Sequence, residues 1–294
     1  MNPEIPPSYF FDRAPLKVIV ERAASALRAR IGFSLVRLGD GEGPMICWPD
    51  FQSPDEMAVT LRTWFGRSDF ADSDLAMIAN GLRQATRSAD ILGLPTRYQL
   101  TRTPRYGMVL QGIDHYGLYS AHQTLSDSGL HWYLQWSGAL AQLLRGLNTI
   151  GVIGCRDIGS QIATTFGVGS VQTYLVRGEH CFPGSESRTH WPDGFAEVMR
   201  RLDAVRPGDV FLVGAGVLGK IYCDQIKTRG GVALDIGSLL DSWANIPSRD
   251  RYELGSPAFT LEHFKSVGRD WKQMIAALDR CAKELHARDA TITY

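Results

Sequence analysis

The chain lacks most of the features that would place it in a specialised class. Its five cysteines (Cys47, Cys155, Cys181, Cys223 and Cys281) are scattered and odd in number, with no Cys-x-x-Cys pair. A zinc knuckle or a redox dithiol is therefore not expected, and the pattern is that of reduced thiols. No apolar run approaches the roughly 20 residues that a membrane-spanning helix needs. The opening stretch MNPEIPPSYFFDRAP has no basic segment leading into an apolar one, so it does not read as a signal peptide. These absences together predict a cytoplasmic protein without a membrane span. Neither sign of charge is in surplus, with 31 Lys+Arg against 31 Asp+Glu. Nothing in that balance draws nucleic acid or an anionic membrane surface. The sequence also has no HExxH, no Walker A loop, no nucleophile elbow and no Ser/His/Asp order. It has no repeat, low-complexity tract or dividing linker, so residues 1–294 read as a single domain.

What is present is an alternation of short apolar runs with amphipathic segments. Leu16, Ile19, Val20, Ala23 and Leu27 recur at helical spacing over 14–30. Ser53, Pro54 and Glu56 form a capping-box start for the next clear helix. Another helix is expected near 73–89, followed by a loop region around 95–112. Residues 130–146 read as one aromatic-rich helix ending at Gly146. From there, strands at 149–154, 171–176, 209–214 and 231–237 alternate with helices near 157–166, 192–205 and 216–229. A C-terminal helix is expected at about 269–287. Such alternation predicts an α/β fold of Rossmann-like type, a mainly parallel sheet with helices on both faces.

Three stretches carry chemistry. VRLGDGE places Asp40 and Glu42 two residues apart, among Gly39 and Gly41, at a strand exit. Open α/β sheets bind ligands at that edge. Two hard oxygen donors on a glycine turn suit Mg²⁺ or Mn²⁺, although a solvated turn is the plain alternative. Arg37, within the preceding strand, needs an anionic partner, either a ligand or Asp40. Further on, Gly214, Gly216 and Gly219 form G-x-G-x-x-G between a strand and a helix, with Lys220 next and Asp235 about 20 residues beyond. This is the dinucleotide fingerprint, and it keeps an NAD(P)-dependent oxidoreductase open. Its late position in the chain favours a single phosphate-binding βαβ unit, while tight helix–strand packing alone would also demand small residues. The third stretch, 178–194, is a polar loop holding His180, Arg188, His190 and Asp193. Either histidine suits a general base or a phosphate contact, and an ordinary polar loop would look the same. At a further strand exit stand Arg156 and Asp157, the latter also suited to capping a helix. Trp132 and Trp136 lie one helical turn apart and read as core, with sugar or base stacking as the other reading.

VRLGDGE, ADILGLP and FLVGAGVLGKIYCDQIK…GGVALDIGSLLDSW, taken in that order, resemble the GT-D-type glycosyltransferases, a family first described as a domain of unknown function. The resemblance spans about residues 15–245 and implies a GT-D-like variant of the Rossmann-like fold. It implies a nucleotide-diphosphate sugar as donor, a UDP-sugar being favoured, and a glycan or protein-linked sugar as acceptor. It also implies Mn²⁺ or Mg²⁺ held by the D-x-E motif, here Asp40 and Glu42. Arg37, Gly39, Gly41, Gly214, Gly216, Gly219, Lys220 and Asp235 would surround the donor, and His190 or Asp157 would take the acceptor proton. A non-catalytic nucleotide-sugar-binding module is the remaining alternative.

Overall fold

The structure is a computed structural model and describes residues 13–179, 189–248 and 257–267, with helical positions at 272, 273, 276, 277 and 280. The expected helix at 269–287 falls largely outside the described residues, as do His180, Cys181, Arg188 and Cys281.

Helix α1 (Leu16–Ala29) buries Leu16, Ile19, Val20, Ala23 and Ala26 on one stripe and ends where Arg30 turns left-handed. Strand β1 (Phe33–Arg37) follows, and the chain re-enters helix at once in α2 (Glu42–Ile46). Helix α3 (Pro54–Phe65) begins with the predicted reciprocal cap, Ser53 accepting from the Glu56 N–H and Glu56 from the Ser53 N–H. Next come α4 (Asp72–Ser88) and β2 (Ile91–Leu94). The loop expected around 95–112 is instead two helices, α5 (Arg97–Arg102) and α6 (Pro104–His115). Thr96 caps α5 through Gln99, and Thr103 caps α6 ahead of Pro104 at its first position. Pro95 and Pro104 punctuate the stretch as loop residues do, but Pro104 stands at the first position of α6, where a helix tolerates it. Strand β3 (Thr124–Asp127), too short and polar to stand out, leads to α7 (Leu130–Trp136) and α8 (Ala139–Leu144). These divide the helix expected over 130–146, because Gly138 adopts a φ of +76° between them.

The second half follows the alternation read from the sequence: β4 (Thr149–Gly154), α9 (Gly159–Phe166), β5 (Ser170–Leu175), α10 (Phe195–Leu202), β6 (Val210–Gly214), α11 (Gly219–Thr228) and β7 (Val232–Asp235). Two short helices, α12 (Leu239–Trp243) and α13 (His263–Ser266), complete the described chain. Among the described residues the seven strands form one sheet in the order β3-β2-β1-β7-β6-β4-β5, and every neighbouring pair is parallel.

The strands are apolar on both faces because both faces are covered. Leu35, Ile91, Val152, Leu212 and Leu234 point into a core closed by α1, α7, α8, α9, α12 and α13. Their chain neighbours Val36, Leu92, Ile153, Val213 and Ala233 point into the opposite core, under α2, α3, α4, α6, α10 and α11. The chain leaving β1 and β6 therefore passes to one face, and the chain leaving β4 and β7 to the other. Between strands whose connections diverge in this way a crevice opens at the carboxyl edge.

Candidate functional site

A cavity of about 480 Å³ occupies that crevice, and its wall is built from strand exits. The exit of β1 contributes Arg37 through Asp40 and Glu42, that of β4 Cys155 and Arg156, and that of β5 Arg177 and Glu179. The exit of β6 contributes the stretch from Gly214 to Lys220, and that of β7 Gly237, Ser238 and Asp241. Trp64, Phe65, Tyr106 and Trp132 supply aromatic surface, and Arg102 further positive charge.

Under the cavity floor lies a closed network of charge. Arg37 emerges where β1 runs beside β7, opposite Gly93 of β2, whose missing side chain leaves room for the arginine stem. Its Nη2 donates to Oδ1 of Asp235 at 3.1 Å, its Nε to the Asp235 carbonyl at 3.0 Å, and its main-chain N–H to Oδ2 at 3.2 Å. Nη1 donates to the Ser128 carbonyl at 2.8 Å and to Nδ1 of His131 at 2.7 Å. A guanidinium has no acceptor, so His131 must present an unprotonated Nδ1. Lys220, in the first turn of α11, places Nζ 2.9 Å from Oε1 of Glu42, 3.1 Å from Oδ2 of Asp235 and 3.2 Å from the Gly216 carbonyl. The remaining Glu42 oxygen, Oε2, accepts the Gly39 N–H at 2.7 Å. Two cations and two carboxylates thus balance while nearly out of water, with Asp235 2% exposed, Lys220 5% and Glu42 6%. Burial alone would pull the Lys220 ammonium toward neutrality, but Asp235 and Glu42 outweigh it and hold its pKa near 12. Burial likewise pushes Asp235 up, and Arg37 and Lys220 overcome this to leave it below the usual carboxylate range.

The glycines of both motifs have separate jobs. A Cβ on Gly41 would overlap the Trp64 indole, so the acidic turn and the aromatic wall are packed directly on each other. A Cβ on Gly214 would stand 2.5 Å from the Gly237 carbonyl oxygen and 2.7 Å from Leu240, which is also seated on Gly154. Gly216 has open space around it but a φ of +57°, which L side chains rarely adopt. At Gly219 a Cβ would crowd Val213 at 3.2 Å. The fingerprint is therefore largely a packing device at Gly214 and Gly219 and a conformational one at Gly216.

No protein-family model matches the chain, and no curated protein matches it either. Among solved structures it is similar to the selenomethionine-substituted structure of domain of unknown function 1792 (DUF1792), at 15% identity over 76% of this chain and 78% of the other, with a TM-score of 0.49. A second, described as the highly conserved domain of unknown function 1792 with a distinct glycosyltransferase fold, aligns at 16% identity over 76% of this chain and 78% of that one, with a TM-score of 0.48. A third is a new glycosyltransferase (DUF1792) from Streptococcus sanguinis, at 15% identity over 88% of this chain and 96% of that one, with a TM-score of 0.47. The structural neighbours are DUF1792 domains. At such identity the likeness is one of chain path and not of side-chain chemistry.

Several expected roles change once the geometry is known. Arg37 is partnered by Asp235 rather than by Asp40 or a ligand. Asp235, the acid that a dinucleotide ribose would need, has both carboxylate oxygens engaged inside the protein. Asp157 is exposed and outside the cavity wall, and it does not cap α9, whose N-cap is Ile158. Its neighbour Arg156 turns inward instead, its Nε donating to Oδ1 of Asp241 at 2.7 Å. His190 does reach the cavity wall, but it is buried and pairs through Nε2 with the Tyr222 hydroxyl at 2.9 Å. Burial lowers its pKa to about 4, so it is neutral at physiological pH and a weak base. The two tryptophans of α7 divide: Trp132 faces the cavity, and Trp136 packs on Phe259.

Asp40 and Glu42 do not present the pair of open carboxylates that a hard divalent cation requires. Asp40 is half-buried in the cavity wall, but Glu42 spends one oxygen on Lys220 and the other on the Gly39 N–H. Among the described residues no group of three His, Cys, Asp or Glu side chains is placed to hold a metal. Cys155 also borders the cavity, with its thiol pKa raised to about 11 by burial and then by Asp241, so it is no nucleophile at neutral pH. Sequence reading missed Trp64, Arg102, Tyr106, His131, Arg177 and Asp241, which no motif marks. Only Arg177 comes just after a strand, and the other five lie within helices, where no local pattern separates a cavity residue from a surface one.

Proposed function

We propose that the protein is a glycosyltransferase, moving a sugar from a nucleotide-diphosphate donor, with a UDP-sugar favoured, to a hydroxyl of a glycan or protein-linked sugar. One observation carries the reading: a cavity at the switch edge of the sheet combines the guanidinium groups of Arg102, Arg156 and Arg177, beside that of Arg37, with an aromatic wall. Its volume of about 480 Å³ lies within the roughly 300–1,000 Å³ of small-molecule sites. Aromatic faces suit the apolar faces of sugars and the rings of bases, and guanidinium groups suit phosphate oxygens.

In the transfer, the bond between the anomeric carbon and the leaving phosphate oxygen breaks as the acceptor oxygen bonds to that carbon. Negative charge grows on the leaving diphosphate, and fixed cations in a partly dry cavity stabilise it more than water would. Arg156 is the best placed of them, since Asp241 orients its guanidinium in the cavity wall. The acceptor hydroxyl must lose a proton. Asp40 is the carboxylate of the acidic turn that faces the cavity, and we assign it that proton in place of His190 and Asp157. Lys220, Glu42, Arg37 and Asp235 act as the charged floor that fixes the turn.

Thermal denaturation in the presence of UDP-, GDP- and TDP-linked sugars, NADH and NADPH tests the reading, because a ligand that prefers the folded chain raises its stability. A rise with a nucleotide sugar, followed by release of the nucleoside diphosphate on adding a glycan acceptor, is the expected result. A rise with NADH or NADPH and with no nucleotide sugar would overturn it.

A further inference from the structure

We infer that the ammonium group of Lys220, set between Glu42 and Asp235, is the resident cation of the acidic turn and occupies the Glu42 carboxylate that a divalent metal at Asp40 and Glu42 would need. The inference deepens the proposed function by naming what neutralises this turn, but its first test does not depend on that reading.

The coordination is complete from both sides. Lys220 Nζ has three protons and three acceptors, on Glu42, Asp235 and Gly216. Glu42 has two oxygens and two donors, Lys220 Nζ and the Gly39 N–H. Asp235 receives Arg37 on Oδ1, and Lys220 with the Arg37 N–H on Oδ2. Each proton of Lys220 Nζ thus has an acceptor, and each carboxylate oxygen of Glu42 and Asp235 already has a donor.

Charge points the same way. Arg37 and Lys220 already cancel Glu42 and Asp235, and all four side chains are 12% exposed or less. A divalent ion added beside this balanced set would bring two positive charges against the one further carboxylate of the turn, Asp40, in partly dry surroundings that oppose an unpaired charge. The lysine cannot be treated as a stray side chain, because its helix is anchored by Tyr222, Cys223 and Ile226, none of which is exposed to solvent. The residue after the last glycine of a phosphate-type turn is therefore aimed at protein carboxylates and not at phosphate. A donor diphosphate is met by the arginines of the cavity wall, and the acidic turn needs no metal at Glu42.

Mn²⁺ binding to the full chain, followed by electron paramagnetic resonance without nucleotide, tests this directly. Wild type and Glu42→Gln are expected to give the same Mn²⁺ isotherm. Lys220→Ala opens an oxygen-lined hole between two carboxylates and is expected to gain affinity by roughly tenfold or more, together with a rise in melting temperature on adding Mn²⁺. One equivalent of Mn²⁺ on the wild type that is lost in Glu42→Gln would overturn the assignment. If Lys220→Ala fails to fold, the comparison of wild type with Glu42→Gln still decides. Nucleotide-sugar binding, repeated with EDTA and with Mn²⁺, is a separate arm: equal affinity in both supports the inference, and affinity that requires Mn²⁺ and disappears in Glu42→Gln opposes it. Failure to bind any nucleotide sugar under either condition would remove the donor assignment and leave the Mn²⁺ isotherms to judge Lys220.

Discussion

Arg37 and Asp235 stand side by side at the carboxyl ends of β1 and β7, joined by Nη2 to Oδ1 at 3.1 Å, Nε to the carbonyl at 3.0 Å and the Arg37 N–H to Oδ2 at 3.2 Å. The pair ties the first described strand of the chain to the last, which are neighbours at the centre of the sheet. It also sets the floor on which Lys220 and Glu42 are assembled.

Removing one member of this set should expose how much it carries. Asp235→Ala leaves Arg37 and Lys220 without their shared carboxylate, and stripping a partner from a buried pair costs about 3–5 kcal/mol. Urea unfolding of the variant is expected to show a loss of that order. A loss within about 0.5 kcal/mol, that of an ordinary surface change, would mean that the network is not structural. Because the folded-state pKa of Asp235 is depressed, its contribution is present above the usual carboxylate pKa and fades as pH falls through the lower folded value. Asp235→Asn should therefore flatten the acid end of the stability profile.

His190 makes the opposite case among bases. Its pKa of about 4 lies below the unfolded value near 6.5. As pH falls from about 6.5 toward 4, the unfolded chain takes up a proton that the folded chain refuses, so the folded state loses about 3 kcal/mol from this group. Unfolding free energies of wild type and His190→Gln, compared at pH 7.5 and 4.5, should show the steeper fall in wild type. Parallel slopes would indicate that the imidazole titrates normally.

The glycine turn offers a test of rank. Gly214→Ala must displace the Gly237 carbonyl and Leu240, which is overpacking of about 1–3 kcal/mol. Gly216→Ala meets no neighbour and bears only the strain of its positive φ, about 1 kcal/mol. Melting temperatures should place Gly214→Ala below Gly216→Ala. The reverse order would mean that backbone conformation, not the seat of Leu240, dictates the motif.

Arg156 and Asp241 separate stability from binding. If Arg156 meets the donor diphosphate as proposed, Arg156→Met removes a charge-assisted contact, and a loss of about 1.5–3 kcal/mol corresponds to roughly 10–100-fold in nucleotide-sugar affinity. It also leaves Asp241 without its guanidinium partner in a poorly hydrated place. The double variant Arg156→Met/Asp241→Asn should regain the melting temperature but not the affinity, as titration with a nucleotide sugar would show. Recovery of both would take Arg156 out of the donor site.

What the sequence determined by itself was the layered α/β plan and the edge at which a site would form. Period-2 and period-3.6 patterns are local, and the apolar strands from Thr149 to Asp235 and the Ser53–Pro54–Glu56 helix start stand out for that reason. The same pattern placed both glycine turns at strand exits. It missed β3 and merged α7 with α8 because Thr124–Asp127 and Gly138 carry no local signal strong enough to read. Only the tertiary structure decided what the charges do. Arg37 and Asp235 are 198 residues apart, and no spacing rule relates them. Neither could spacing tell whether Glu42 would meet a metal, water or Lys220. That choice follows from the sheet order, which sets β7 between β1 and β6, and from the loss of water around the four charges. Once buried, those charges are stable only in one another's company.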